Sequence, residues 1–430
     1  MIRNSYQQII IFIFVLFWGL WSNPEFEMKI APDSWDYIAV AEDFSSSANI
    51  LRSFGYPMLI RFCILLSDTN WETILFIVQL FLHGVSVLVL RSILVDLVPF
   101  TGLVNVISIL ISIHPSSLFY VNYLLPEYFM SFALVLFLFF SKKLLFLENN
   151  NILLCIVCGF LSGLAFMIKA VWILGFMALL IPIIIFKKKK KEVIIICSIL
   201  ITTHFLMPAI WETYKSFHNQ DILKKKNQSI VVNVNFAAIR LGLVKYGEGT
   251  SLYDLIMKNG LMDFALKCNG DDNKDFRKVY NGISFGDRYD YDFTKKIIQN
   301  AAVPFLFGQL SNWYRFISNR MHIPNQKQSF SGMPSLLKYI YIGSFNFYYR
   351  PLLGILLIIS LVYCFYYPVL FRFSIMNFGI IIYFLLVLCV FTIAPHNMIR
   401  MRQPVDALLL LQASLPFLHS LYQYQKSRVV

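Results

Sequence analysis

The sequence predicts an all-α polytopic membrane protein: about ten transmembrane helices, juxtamembrane helices in the outer loops, and one large extracytoplasmic section. Three observations predict it. Of the 430 residues, 58% are hydrophobic and 17% aromatic, and the mean hydropathy is +0.64. A water-soluble chain of this length does not carry so much apolar surface. Apolar stretches near the roughly 20 residues that cross about 30 Å of hydrocarbon recur along it. Finally, the basic clusters stand at the ends of alternate apolar runs, which fits the positive-inside rule.

Taken in order, the first span covers residues 8–22 and follows Met1-Ile2-Arg3. It looks like a signal peptide, but "SNPEFEMK" behind it lacks a small-x-small cleavage site, so it is read as retained. A polar loop, 23–70, leads to spans at 72–90 and 98–114. The segment "HPSSLFYVNYLLPE" separates these from a span at 127–141. Spans at 152–168 and 170–186 nearly touch at Lys169, and 192–210 follows. A mostly polar section, 211–345, precedes the last three spans, 351–370, 373–393 and 404–422. Three parts result: a core 1–210 with the outer loop 23–70, the extracytoplasmic section 211–345, and a C-terminal membrane part 346–430.

With a cytoplasmic N-terminus, Arg91, Lys142–Lys143, Lys187–Lys191, Arg372, Lys426 and Arg428 all fall inside. The net charge of +13 is thereby explained by topology, and nucleic acid is not an expected partner. Within 211–345, "AAVPFLFGQLSNWYRFISNRM" has the character of an amphipathic helix on the membrane surface. Six of the seven cysteines sit in apolar surroundings, and the C-x-x-C of Cys155 and Cys158 lies inside a span. Neither a disulfide framework nor a zinc site is indicated.

The ionisable groups outside these clusters collect on the outer ends of the spans: Asp33, Asp36, Glu42, Asp43, Arg52, Glu127, Lys169, His396, Arg400, Arg402 and Asp406. Ionisable groups near hydrocarbon are paired, snorkelling or functional. "KIAPDSWDYIAVAEDF" places Asp33, Tyr37 and Ala41 four apart, on one face of a short helix. Each candidate has a plain structural reading as well. Asp33 and Glu127 suit helix starts, Lys169 can snorkel, Arg402 can pair with Asp406, and interfacial tyrosines often form belts.

Four segments resemble the GT-C superfamily of membrane glycosyltransferases that use polyprenyl-phosphate-linked sugars, which includes protein O-mannosyltransferases and aminoarabinose transferases. "APDSWDYIAVAEDF" with "GYPMLI" is similar to their first outer loop, through Asp33, Ser34, Tyr37, Ala41 and Tyr56-Pro57. "HPSSLFYVNYLLPEYFMSFALVLFLF" places Glu127 where many members open a span with an acid. "GLAFMIKAVWIL" has Lys169-Ala170 where members usually have Arg-Pro. "HNMIRMRQPVDALLLLQA" matches the final outer loop, with Met401 in place of the usual aromatic. The section 211–345 lies outside the resemblance.

The resemblance implies transfer of a sugar from a polyprenyl-phosphate donor to an extracytoplasmic acceptor. Phosphate leaves without a general acid, so the reaction needs a base for the acceptor hydroxyl and positive charge at the departing phosphate. The implied base is Asp33, with Asp36 as fallback and Glu127 as a second carboxylate. Lys169, Arg400 and Arg402 are the candidates for the phosphate, and Tyr37, Tyr56 and His396 for the site lining. A divalent metal, where one binds, would take Asp33, Asp36 and Glu127. The expected setting is a bacterial inner membrane with the site outside. Rival readings are a surface-polysaccharide polymerase, which would want two long outer loops, and a lipid-linked saccharide flippase. The latter would want polar residues deep in several spans and an internal repeat.

Overall fold

The computed structural model describes every residue except 1, 32, 46–51, 147–150, 188, 219–221, 271–273, 285, 319–331, 348–351, 392–394 and 430. Inside its helices, the side chains of 2–4, 218, 222–230, 311–318, 345–347, 386–391, 395–401, 428 and 429 also lie outside the described residues. The fold is all-α and polytopic. Its helices run α1 (Ile2–Ser22), α2 (Ser34–Glu42), α3 (Gly55–Leu66), α4 (Trp71–Leu97), α5 (Thr101–Ser112), α6 (Pro115–Val121) and α7 (Pro126–Phe146). Next come α8 (Ile152–Ile168), α9 (Met177–Phe186) and α10 (Lys190–His218). After them follow α11 (Ile222–Arg240), α12 (Ser251–Lys258), α13 (Met262–Lys267), α14 (Lys274–Gly282) and α15 (Tyr291–Ser318). The chain closes with α16 (Ser335–Phe347), α17 (Leu353–Phe365), α18 (Pro368–Phe391) and α19 (Pro395–Val429).

Each of the ten apolar stretches read from the sequence contains helix among the described residues, but not all reach spanning length. Among the described residues six helices are long and apolar enough, and α5 with α6 makes a seventh candidate bent by 51°. The bend sits at His114-Pro115, where extended His114 leads into a proline at the first helical position. The stretches at 152–168, 170–186 and 351–370 form shorter apolar helices. Only 22% of the spanning window in Lys190–Phe217 is buried within the protein, so most of its apolar surface faces outward, as lipid contact requires.

The described contacts divide the chain into two units. One comprises Met1–Lys215, Arg320–Tyr383 and Gln403–Val430; the other comprises Ser216–Asn319 and Phe384–Arg402. In the first, α8 approaches α10 through Gly159 and Gly163, spaced four apart. A Cβ on Gly163 would lie 2.6 Å from the His204 carbonyl oxygen, and one on Gly159 1.7 Å from the Thr203 hydroxyl. Membrane helices use small residues this way to bring backbones together. At the C-terminal end, Gln412 Nε2 donates to Ser360 Oγ (2.8 Å) and Ser374 Oγ (2.9 Å), fastening α17, α18 and α19.

The second unit has its own core. Phe236, Ile239, Leu252, Ile256, Val279, Phe293 and Ile297 pack together from α11, α12, α14 and α15. Its turns follow from glycine: Gly242 (φ 71°) and Gly260 (φ 64°) each end a helix in the left-handed region. Behind them Leu243 N–H reaches Ala238 O and Leu261 N–H reaches Ile256 O, both at 3.0 Å, the closing bonds of a Schellman cap. Ala301 (φ −133°) kinks α15; Phe293 and Ile297 before the kink lie in the core, and Phe305 after it packs against that core.

Candidate active site

The first outer loop is sewn to the segment that opens α7. Lys29 N–H donates to Asn122 O (2.8 Å) and Leu124 N–H to Lys29 O (3.0 Å), a short parallel bridge. Ser34 Oγ donates to Leu124 O (2.7 Å), ninety residues away. Buried Gln79 on α4 donates to Val121 O (3.0 Å) and receives the Tyr56 hydroxyl (3.5 Å). The loop carrying Asp33 is thereby set beside the start of α7, its last bond at Leu124, three residues before Glu127.

The loop contains a second helix, α3, where the sequence suggested only polar connection. One face of α3, with Gly55, Tyr56, Ile60 and Cys63, is buried; Met58, Phe62, Leu65 and Leu66 lie exposed on the other. A helix apolar on both faces suits the membrane boundary. Gly55 lets it seat on the end of α8, since a Cβ there would stand 3.0 Å from Ile168 N and Met167 C. That seat places Tyr56 next to the chain that turns at Lys169.

Lys169 caps α8 in an extended conformation and donates through Nζ to Glu127 Oε1 at 3.0 Å. The Glu127 side chain is wholly buried, and Lys169 is the partner that keeps some exposure. The turn behind Lys169 is held firmly. Trp172 Nε1 donates to Ser162 Oγ (3.0 Å), His204 contacts both Ser162 Oγ and Ile173 O, and the Tyr383 hydroxyl donates to Val171 O (2.7 Å). Burial, then the Glu127 carboxylate, push the Tyr56 hydroxyl well above its ordinary pKa.

The opposite side of Tyr56 meets Tyr37 edge-to-face, with ring centroids 5.5 Å apart. Over Tyr37 lies the Arg52 guanidinium, 5.0 Å from the ring centre. Arg52 gathers both carboxylates of α2: Nε and Nη2 donate to Asp36 Oδ2 (3.0 and 2.7 Å), and Nη2 stands 3.5 Å from Asp33 Oδ1. Burial works against the charge of Arg52, yet Tyr37, Asp33 and Asp36 outweigh it and its pKa is raised. Asp33 occupies the N-cap position of α2 but makes no side-chain cap bond; its carboxylate turns to Arg52.

Two ion pairs joined by two tyrosines result: Asp33 and Asp36 with Arg52 at one end, Glu127 with Lys169 at the other. Asp33, Asp36, Tyr37, Tyr56, Glu127 and Lys169 are thus brought into one connected arrangement. Arg52 is the member that sequence reasoning left without a role; its signal was a lone arginine four residues before Tyr56-Pro57. Arg402 belongs to the second unit and is buried on α19, as is Asp406 one turn later on that helix. The side chains of His396 and Arg400 lie outside the described residues.

Among the described residues no three acidic, histidine or cysteine side chains form a metal-binding group. Asp33 and Asp36 face Arg52, and Glu127 faces Lys169.

No protein-family model matches the chain, and no curated protein matches it. Among solved structures, the crystal structure of ArnT from Cupriavidus metallidurans in the apo state is similar to it. The likeness has a TM-score of 0.39 and 10% identity, over 93% of this chain and 78% of that one.

Proposed function

We propose that this chain is a membrane glycosyltransferase of the GT-C type, moving a sugar from a polyprenyl-phosphate donor to an acceptor hydroxyl on the extracytoplasmic side. One observation carries the reading. The carboxylates of the first outer loop and the Glu127–Lys169 pair, drawn from three separate segments of the chain, are connected through Arg52, Tyr37 and Tyr56. The charge pattern of the loops supports the outer location, in a bacterial inner membrane.

In the reaction the acceptor oxygen forms a bond to the anomeric carbon as the bond from that carbon to the phosphate oxygen breaks. The electron pair leaves on the lipid phosphate, and the configuration inverts. Asp33 takes the acceptor proton. The resemblance implies Asp33, and its side chain, 37% exposed, can be reached by an acceptor, whereas that of Glu127 is 0% exposed. Asp36, held by two bonds from Arg52, positions the guanidinium and is the fallback base.

The phosphate needs cations in a place poor in water, where preorganised charge stabilises the departing group most. Lys169 is one, held in place by Glu127; the resemblance also implies Arg400 and Arg402, since a guanidinium can grip phosphate in a fork. Tyr37 and Tyr56 lie between the two ion pairs, and the resemblance implies His396 as a further lining residue.

The test is transfer in liposomes containing radiolabelled polyprenyl-phosphate sugars. Wild type transfers label, while Asp33→Asn binds the donor and loses about 10²-fold or more of its rate. Full activity in Asp33→Asn removes Asp33 from the mechanism.

A further inference from the structure

Near the middle of α4, a helix apolar enough to cross a membrane, stands a buried histidine that the transfer chemistry leaves unused. His83 is 3% exposed, and a polar ring inside a spanning helix is costly where a phenylalanine would fill the same space. Its two nitrogens reach two other helices. Nε2 lies 2.8 Å from Ser112 O, and Nδ1 lies 3.0 Å from the Tyr128 hydroxyl. A carbonyl oxygen only accepts, so Nε2 carries the proton and donates it. Nδ1 is then an acceptor. The Tyr128 hydroxyl donates its single proton there, since Ser86 Oγ is farther away at 3.5 Å.

The partners matter because of what adjoins them. Ser112 closes α5, where helix geometry leaves its carbonyl without an intrahelical donor. Tyr128 stands in the first turn of α7, next to Glu127. One turn earlier on the same face of α4, Gln79 donates to Val121 O (3.0 Å) and accepts from the Tyr56 hydroxyl. Two side chains of α4, four residues apart, thus hold the passage from the end of α5 to the start of α7. Glu127 is set from this side, and Lys169 from the other by the turn that Trp172, His204 and Tyr383 secure. Their 3.0 Å contact is made between two anchored segments.

We propose that His83 is a positioning residue: through Tyr128 it fixes the first turn of α7, and with it the buried Glu127 carboxylate against Lys169. Its place in transfer rests on the glycosyltransferase reading above; its hold on the Glu127–Lys169 pair does not.

The test compares the purified full chain with His83→Phe, Tyr128→Phe and the double variant by two measurements. One is acetylation of Lys169 by an N-hydroxysuccinimide ester, read by mass spectrometry against the exposed Lys426. The other is transfer of radiolabelled sugar from polyprenyl phosphate in liposomes. Loss of the His83–Tyr128 bond raises Lys169 labelling about fivefold in each single variant. It lowers kcat about tenfold with KM for the donor unchanged, because the cation is misplaced at the departing phosphate. The double variant matches His83→Phe, since both substitutions remove the same bond. Gln412→Leu removes an equally buried fastening among α17, α18 and α19; it lowers the unfolding midpoint and changes neither readout. Wild-type labelling and kcat in folded Tyr128→Phe overturn the proposal, as does additive loss in the double variant or equal labelling in Gln412→Leu. If His83→Phe does not fold, Tyr128→Phe decides alone. A wild type that transfers no sugar overturns the transferase reading, and Lys169 labelling then decides the positioning by itself.

Discussion

Lys169 Nζ lies 3.0 Å from Glu127 Oε1, and the Glu127 side chain is completely buried. Removing one charge from such a pair leaves the other desolvated, which typically costs about 3–5 kcal/mol. Lys169→Met therefore destabilises the protein by that order, measured as a fall in unfolding midpoint in detergent. The neutral pair Glu127→Gln with Lys169→Met recovers most of the stability but not the transfer, because the phosphate loses its cation. Recovery of transfer together with stability would reduce the pair to a structural one.

Arg52 serves Asp33, Asp36 and the Tyr37 ring at once, which calls for a planar fork of donors. Arg52→Lys keeps the charge but reaches fewer of these groups. Transfer falls about tenfold in Arg52→Lys and further in Arg52→Gln, with little change in unfolding midpoint, since the bridge is partly exposed. Equal rates in wild type and Arg52→Gln would show that the carboxylates need no such support.

Gly55 is required by proximity and not by its backbone angle. Gly55→Ala sets a Cβ 3.0 Å from backbone atoms of α8, which cannot rotate away as a side chain can. The expected cost is about 1–3 kcal/mol, with transfer reduced because α3 carries Tyr56. Gly343→Ala provides the control, as nothing lies within 4 Å of that Cβ. Comparison of the two variants by thermal unfolding and transfer rate decides the matter.

Burial, followed by the Asp275 charge, pushes the Cys268 thiol up from 9.0 to about 11. The folded protein thus holds this proton through a pH range where the unfolded chain has released it. The contribution to stability is complete below about pH 9 and is lost as pH rises towards about 11. At pH 8.5 iodoacetamide should leave the peptide containing Cys268 unmodified until denaturant is added, as read by mass spectrometry. Fast labelling of the native protein would contradict this environment.

The sequence made the spans legible because an apolar run is a local property. All ten apolar stretches contain helix among the described residues, yet the count of full-length spans was not legible. The break at His114-Pro115 and the short α8, α9 and α17 depend on how helices end, which hydropathy alone does not give. The apolar character of 55–66 was visible too, but the polar residues around it hid α3 within a loop. Asp33, Asp36, Glu127 and Lys169 could be singled out because a charge at the edge of an apolar run stands out. Arg52 stands out just as much, but nothing local joined it to a partner.

By itself, then, the sequence determined that this chain lives in a membrane and which charged residues stand at the ends of its helices. Hydrocarbon demands long apolar segments with their backbone bonds satisfied internally, and that demand is written residue by residue. Only the tertiary structure decided which charge meets which. Lys169 finds Glu127 across 42 positions and Ser34 finds Leu124 across 90. Such pairings depend on close approaches, Gly55 on α8 and Lys29 on Asn122, that no periodicity in the chain encodes. Electrostatic partners are chosen by packing, and packing is a property of the whole fold.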